Sequence, residues 1–137
     1  MSNKIVSVSI IGLGGRGGEA YGRYMAFLVD KFKITHVCDI NPVRLHKYGE
    51  IFDVPVENRF QEEDKFFEKK WSDVLFITTQ DRQHVGMAKK ALDLGYDIVL
   101  EKPITDDITE LQELAKLAHE KNRKIMQKSI TQIKKKN

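Results

Sequence analysis

Short β-branched runs alternate along this chain with longer stretches whose apolar residues return at helical spacing. Residues 4–11 (KIVSVSII) are rich in Ile and Val and stop at glycines, which predicts a first strand. Ala20, Tyr21, Tyr24, Met25 and Leu28 then recur three and four apart, predicting a helix over roughly 15–29. Residues 33–38 (KITHVC) read as the second strand. Asn41-Pro42 opens the next helix, because Asn is a good N-cap and Pro suits the first helical position. Residues 54–60 are read as a short strand or an irregular segment, and 62–70 as a short charged helix. A buried strand follows at 73–78 (DVLFIT), then a helix at 82–94 with Val85, Ala88, Ala91 and Leu92 along one face. Gly95 is placed to end that helix. Residues 97–100 (DIVL) form the next strand, and Thr105 and Asp106 begin a helix whose stripe is Ile108, Leu111, Leu114, Leu117 and Ala118. Residues 124–126 form a last strand, and no internal repeat is evident. Strands alternating with helices imply right-handed crossovers and a parallel sheet covered on both faces. The expected fold class is α/β, a doubly wound parallel sheet in three layers.

Composition narrows the function classes. The 137 residues fit one domain. A content of 41% hydrophobic and 31% charged residues is that of a folded chain rather than a disordered one. The apolar runs fall short of the ~20 residues that span a bilayer, and the N-terminus shows no signal-peptide pattern. A cytoplasmic protein without a membrane partner is expected. The lone Cys38 excludes an internal disulfide and a multi-cysteine metal site, and no metal is expected. The net charge of +3 divides unevenly, into −3 over residues 1–119 and +6 over 120–137. The chain therefore reads as a domain over 1–127 with a basic tail at 128–137, not as a nucleic-acid-binding face.

Four motifs carry candidate chemistry. Gly12-Leu13-Gly14-Gly15-Arg16-Gly17 is a G-x-G-x-x-G between a strand and a helix. In that pattern the first glycine allows the tight turn, the second lets backbone approach a pyrophosphate, and the third permits close helix packing. The helix N-terminus offers free N–H groups and a positive dipole end to the phosphates. Asp39 ends the second strand 22 residues after Gly17, where an acid accepts hydrogen bonds from adenosine ribose hydroxyls. Its charge repels a 2′-phosphate and favours NAD over NADP, a preference that nearby Arg44 moderates. Thr78-Thr79-Gln80-Asp81-Arg82-Gln83-His84 follows the third strong strand, and Glu101-Lys102-Pro103 follows the fourth. Both lie at carboxyl ends of strands, where open α/β sheets hold ligands. A lysine there suits a substrate hydroxyl or carbonyl during hydride transfer. The plainer alternatives are helix capping for Asp39 and Asp81, a surface first turn for His84, and a surface ion pair for Glu101 and Lys102.

Together these residues resemble the N-terminal Rossmann domain of the Gfo/Idh/MocA oxidoreductases. The resemblance runs from Lys4 to about Met126, through IIGLGGRG, HVCDINPVRL and VLFITTQDRQHVGMAKKALDLGYDIVLEKPI. It implies that Gly12, Gly14, Gly15, Arg16 and Gly17 hold the pyrophosphate, with Asp39 on the ribose and Arg44 beside it. Thr78, Thr79, Gln80 and His84 would line the path to the nicotinamide. Glu101 would contact the cofactor, and Lys102 would reach both nicotinamide and substrate as the retained catalytic residue. Many members carry Pro where Gln80 stands. The implied substrates are sugars, inositols and related polyols.

The family continues into a second domain that supplies most of the substrate pocket and the main oligomer interface. The tail at 128–137 does not resemble the lead into it, so the expectation is a truncated chain that binds cofactor with little turnover. A homo-oligomer is left open. Two other readings stand beside this one: an NAD-binding regulatory module without catalysis, and a methyltransferase that uses S-adenosylmethionine.

Overall fold

The computed structural model describes residues 4–79, 84–100 and 108–127, and of Arg16, His84, Ile108 and Gln127 the backbone alone. Six parallel strands form one sheet: β1 (Val6–Ile11), β2 (Phe32–Cys38), β3 (Arg59–Phe60), β4 (Val74–Ile77), β5 (Asp97–Leu100) and β6 (Ile125–Gln127). Their order across the sheet is β3-β2-β1-β4-β5-β6. The winding direction reverses between β1 and β4, so a crevice opens at the carboxyl ends of those two strands. Two apolar clusters fill the two faces. On one, Tyr21, Met25, Tyr48 and Phe52 pack on Val8, Ile10, Val37 and Phe76. On the other, Val85, Ala88, Leu92, Leu114 and Ala118 pack on Ile11, Leu75, Ile77, Ile98 and Leu100. The alternate-residue partition follows from the pleat, which points successive side chains to opposite faces. The doubly wound, three-layer architecture is the one the sequence pattern implies.

The helices are α1 (Arg23–Phe27), α2 (Pro42–Ile51), α3 (Glu63–Phe66), α4 (His84–Leu94) and α5 (Ile108–Glu120). Asn41 caps α2 as expected, its side-chain oxygen accepting from the Val43 and Arg44 amides. Gly95 ends α4 at φ +98, with its amide on the Leu92 carbonyl and that of Tyr96 on Ala91.

Two elements differ from the sequence reading, and a third resolves the alternatives left open for residues 54–60. The first helix is π-helical over Gly15–Gly22 and α-helical only from Arg23 to Phe27. Gly18 and Gly22 leave bare backbone there, and the rings of Tyr48 and Phe52 occupy the room their side chains would need. Residues 54–60 give a 3-10 turn (Val56–Asn58) behind Pro55 and only a two-residue strand. The charged helix shortens to four residues, because the Trp71 indole N–H takes the Phe66 carbonyl (2.8 Å) and diverts the chain.

Candidate functional site

The turn after β1 is built by close packing. The Gly12 amide donates to the Cys38 carbonyl at 2.9 Å, and the Thr78 amide to the Ile11 carbonyl at 3.0 Å, binding the turn to both neighbouring strands. Gly12 has φ +98, and a Cβ on it would lie 2.7 Å from the Thr79 nitrogen. A Cβ on Gly17 would overlap the Gly12 carbonyl oxygen and the Thr78 hydroxyl. Gly14 and Gly15 are the opposite case, since a Cβ on either meets nothing within 4 Å. The first and last glycines of the motif are thus required by the protein's own packing, while the middle two face open space.

That space is a cleft of about 1120 Å³. Gly12, Gly14, Gly15, Asp39, Arg44, Thr78 and Thr79 line it, so seven of the proposed cofactor residues share one surface. Gly17 stands behind the turn, packed on Gly12. Thr78 is buried, and its hydroxyl donates to the Gly12 carbonyl (2.7 Å), which fixes the turn to β4. Thr79 reaches the Met87 sulfur at 3.8 Å. Gln80, Asp81, Glu101, Lys102 and Pro103 lie outside the described residues, as do Thr105, Asp106 and the tail at 128–137. The side chains of Arg16 and His84 also lie outside them.

Asp39 joins the two halves of the cleft. Its Oδ2 accepts the Leu13 amide at 2.7 Å, and its Oδ1 accepts the Asn41 amide at 2.8 Å. Arg44 Nη2 also donates to Oδ1, at 3.2 Å, from a half-exposed position over a side chain only 3% exposed. Two carboxylate oxygens offer about four acceptor sites, and three donors leave room for another. Asp39 is therefore no simple helix cap; Asn41 performs that task and Asp39 ties the glycine turn to the end of β2.

Sequence reasoning missed several lining residues. Ile40 is 78% exposed and presents an apolar surface at the mouth of the cleft, its carbonyl held by Gln61 Nε2 at 3.1 Å. Its position directly after the strand-ending acid was the available signal. Cys38 also lines the cleft, but burial and then the neighbouring acid Asp39 push its thiol up to about 12, so it is no nucleophile at neutral pH. Glu62, Glu63 and Lys65 border the far side, where only a fold brings them. Among the described residues no group of three or more His, Cys, Asp or Glu is arranged to hold a metal. None of their helices is long and apolar enough to cross a membrane.

A doubly wound parallel sheet with an open glycine turn at its switch point, and an acid ending the next strand, defines a dinucleotide-binding Rossmann domain. Residues 6–129 match the Gfo/Idh/MocA model, an oxidoreductase family with an NAD-binding Rossmann fold, and the chain belongs to that family. It is 28% identical over 128 residues to glycosyl hydrolase family 109 protein 2 of Phocaeicola vulgatus, covering 89% of this chain and 30% of that protein. The solved myo-inositol 2-dehydrogenase from Lactobacillus plantarum is 25% identical with a TM-score of 0.79, over 91% of this chain and 36% of its own. The scyllo-inositol dehydrogenase from Lactobacillus casei, solved with NAD(H) and scyllo-inositol, has a TM-score of 0.79 at 23% identity, over 90% of this chain and 36% of its own. This chain thus spans about a third of the length of these relatives. It is an NAD-binding domain of an oxidoreductase family.

Proposed function

We propose that the cleft holds NAD with its diphosphate against Gly14 and Gly15, its adenosine ribose on Asp39 and its adenine beside Ile40. The observation that carries this reading is the contrast within the glycine motif. Gly12 and Gly17 have no room for a side chain, while Gly14 and Gly15 have room that the protein itself does not use. Backbone N–H groups at that turn suit phosphate oxygens, and Gly14 lets a ligand approach them. Asp39 holds a ribose acceptor in register with the turn through its bond to Leu13, and its negative charge disfavours a 2′-phosphate. Arg44 partly offsets that charge, which limits the preference for NAD over NADP.

When bound, NAD supplies a hydride acceptor. Thr78 and Thr79 border the path away from the glycine turn, with Arg16, Gln80, His84 and Glu101 completing the cofactor contacts in this reading. Lys102 is the proposed catalytic residue, which in this reading holds a substrate oxygen and offsets charge that develops there. The proposed substrate class is a sugar or polyol, held by parts of the protein beyond these residues. Positioning of that kind contributes ~7–11 kcal/mol to lowering such a barrier, so the 137-residue chain alone binds cofactor and turns over little.

The likeness to a glycosyl hydrolase relative supports a second reading for the whole protein. Hydrolysis is redox-neutral, so that activity would accumulate no reduced nicotinamide, whereas polyol oxidation would. Titration calorimetry with NAD, NADP and S-adenosylmethionine tests the cofactor assignment. NAD should bind, NADP about tenfold or more weakly, and S-adenosylmethionine not at all. A preference for S-adenosylmethionine, or no uptake of NAD, overturns the proposal.

A further inference from the structure

The NAD reading leaves an acid close to the diphosphate turn unexplained. Glu19 lies in the helical segment Gly15–Gly22 that begins at the turn. A carboxylate in the first turns of such a helix competes with phosphate for the positive dipole end and repels it. Here the carboxylate is held by three partners. Arg23 Nε donates to Oε1 at 3.0 Å, Lys47 Nζ lies 3.8 Å from Oε2, and the Tyr48 hydroxyl donates to Oε2. Arg23 is one turn further from the glycines, and neither Arg23 nor Glu19 lines the cleft.

The three partners differ in rigidity. Arg23 and Lys47 are about half exposed. Tyr48 is 4% exposed and its ring fills the notch at Gly18, where a Cβ would lie 2.6 Å from a ring carbon. A second ring, Phe52, lies tilted 5.6 Å from Tyr48 and fills the notch at Gly22. The hydroxyl is therefore the fixed donor. We infer that Tyr48 is a positioning residue for the cofactor: its hydroxyl keeps the Glu19 carboxylate off the diphosphate site. Burial and the Glu19 acceptor push the phenol up to about 12, so it remains a donor at neutral pH. The Tyr48 and Arg23 bonds hold Glu19 below the usual carboxylate range, so its charge persists.

The inference rests on the NAD reading, and its test separates the two. In the full chain, Tyr48→Phe keeps the ring in its notch and removes the donor. Calorimetry at low salt should show NAD and ADP-ribose binding about five- to tenfold more weakly, with adenosine unchanged. The loss should shrink at high salt, and Glu19→Gln added to the same chain should restore the original affinity. A role in packing alone would not be rescued by removing a charge. Glu19→Gln alone should bind the diphosphate ligands at least as tightly as the parent, and weaker binding counts against the inference. A parent that binds no NAD overturns the reading beneath it. A parent that binds, with a Tyr48→Phe chain that binds equally well or a loss that survives Glu19→Gln, overturns the inference alone.

Discussion

Replacing Gly14 and Gly17 one at a time by alanine separates what the glycine turn does for the fold from what it does for a ligand. At Gly17 the added methyl overlaps the Gly12 carbonyl, a backbone atom pinned by the Thr78 hydroxyl and unable to retreat. Overpacking costs about 1–3 kcal/mol where side chains can give, and a clash with pinned backbone belongs at the upper end. About 3 kcal/mol corresponds to a fall of roughly 10 °C in Tm for a domain of this size. At Gly14 the methyl meets nothing within 4 Å, and φ is −80, outside the left-handed region. Stability there should stay within about 0.5 kcal/mol of the parent. The same methyl projects into the space assigned to the diphosphate and denies it the close approach to backbone amides. NAD affinity should fall by about tenfold or more, equivalent to about 1.4 kcal/mol or more. Calorimetric titration with NAD and thermal melts of both variants read the two quantities separately. A Gly14→Ala chain with parental melting and parental NAD affinity would show that the diphosphate lies elsewhere.

Asp39→Asn puts an amide nitrogen where three donors now meet two acceptor oxygens, so it should cost about 1–3 kcal/mol of stability. It should also weaken NAD about tenfold and narrow the gap between NAD and NADP in titrations of both; an unchanged ratio would remove Asp39 as the selecting group. His36 stacks 4.8 Å from the Trp71 ring, and burial lowers its pKa, so the folded state favours the neutral ring. Below about pH 6.5 the unfolded chain takes up this proton before the folded one does, and stability should fall from there down through the lowered folded value. His36→Phe, which keeps a ring in the stack, should flatten the fall in Tm over that window, and an equal slope in parent and variant would discard the argument.

The sheet was readable because its four central strands are compact β-branched runs bounded by glycine or a polar cap, and each longer helix carries a stripe. Asp97–Leu100 matches the expected span, and Asn41 caps α2 as its type predicts. What failed was local structure decided by distant partners. The π-helical start depends on Tyr48 and Phe52 entering the notches at Gly18 and Gly22, residues about thirty positions apart whose meeting no periodicity records. The shortened α3 likewise depends on an indole reaching back to the Phe66 carbonyl. Within the site, the glycines and Asp39 were legible because their roles are set by backbone geometry and strand ends. Ile40 offered only its place after the strand-ending acid, and the Glu19–Tyr48 contact offered no signal, since it forms only once α2 and the first helix lie side by side.

Those two kinds of residue lead to one physical point about the site. On the proposed reading the glycine turn suits an anion, because backbone amides at a helix start can meet phosphate oxygens, but such a turn also attracts the protein's own carboxylates. Asp39 and Glu19 are two acids beside it, and the fold treats them differently. Asp39 is buried and fixed by backbone donors at the cleft wall, where its charge can select a ribose. Glu19 is bonded instead to Arg23, Lys47 and Tyr48, which by our inference keeps its charge off the turn. On this proposed reading, cofactor recognition depends as much on where negative charge is withheld as on where it is supplied. A neutralising substitution should accordingly have opposite effects at the two positions, lowering NAD affinity at Asp39 and sparing or raising it at Glu19.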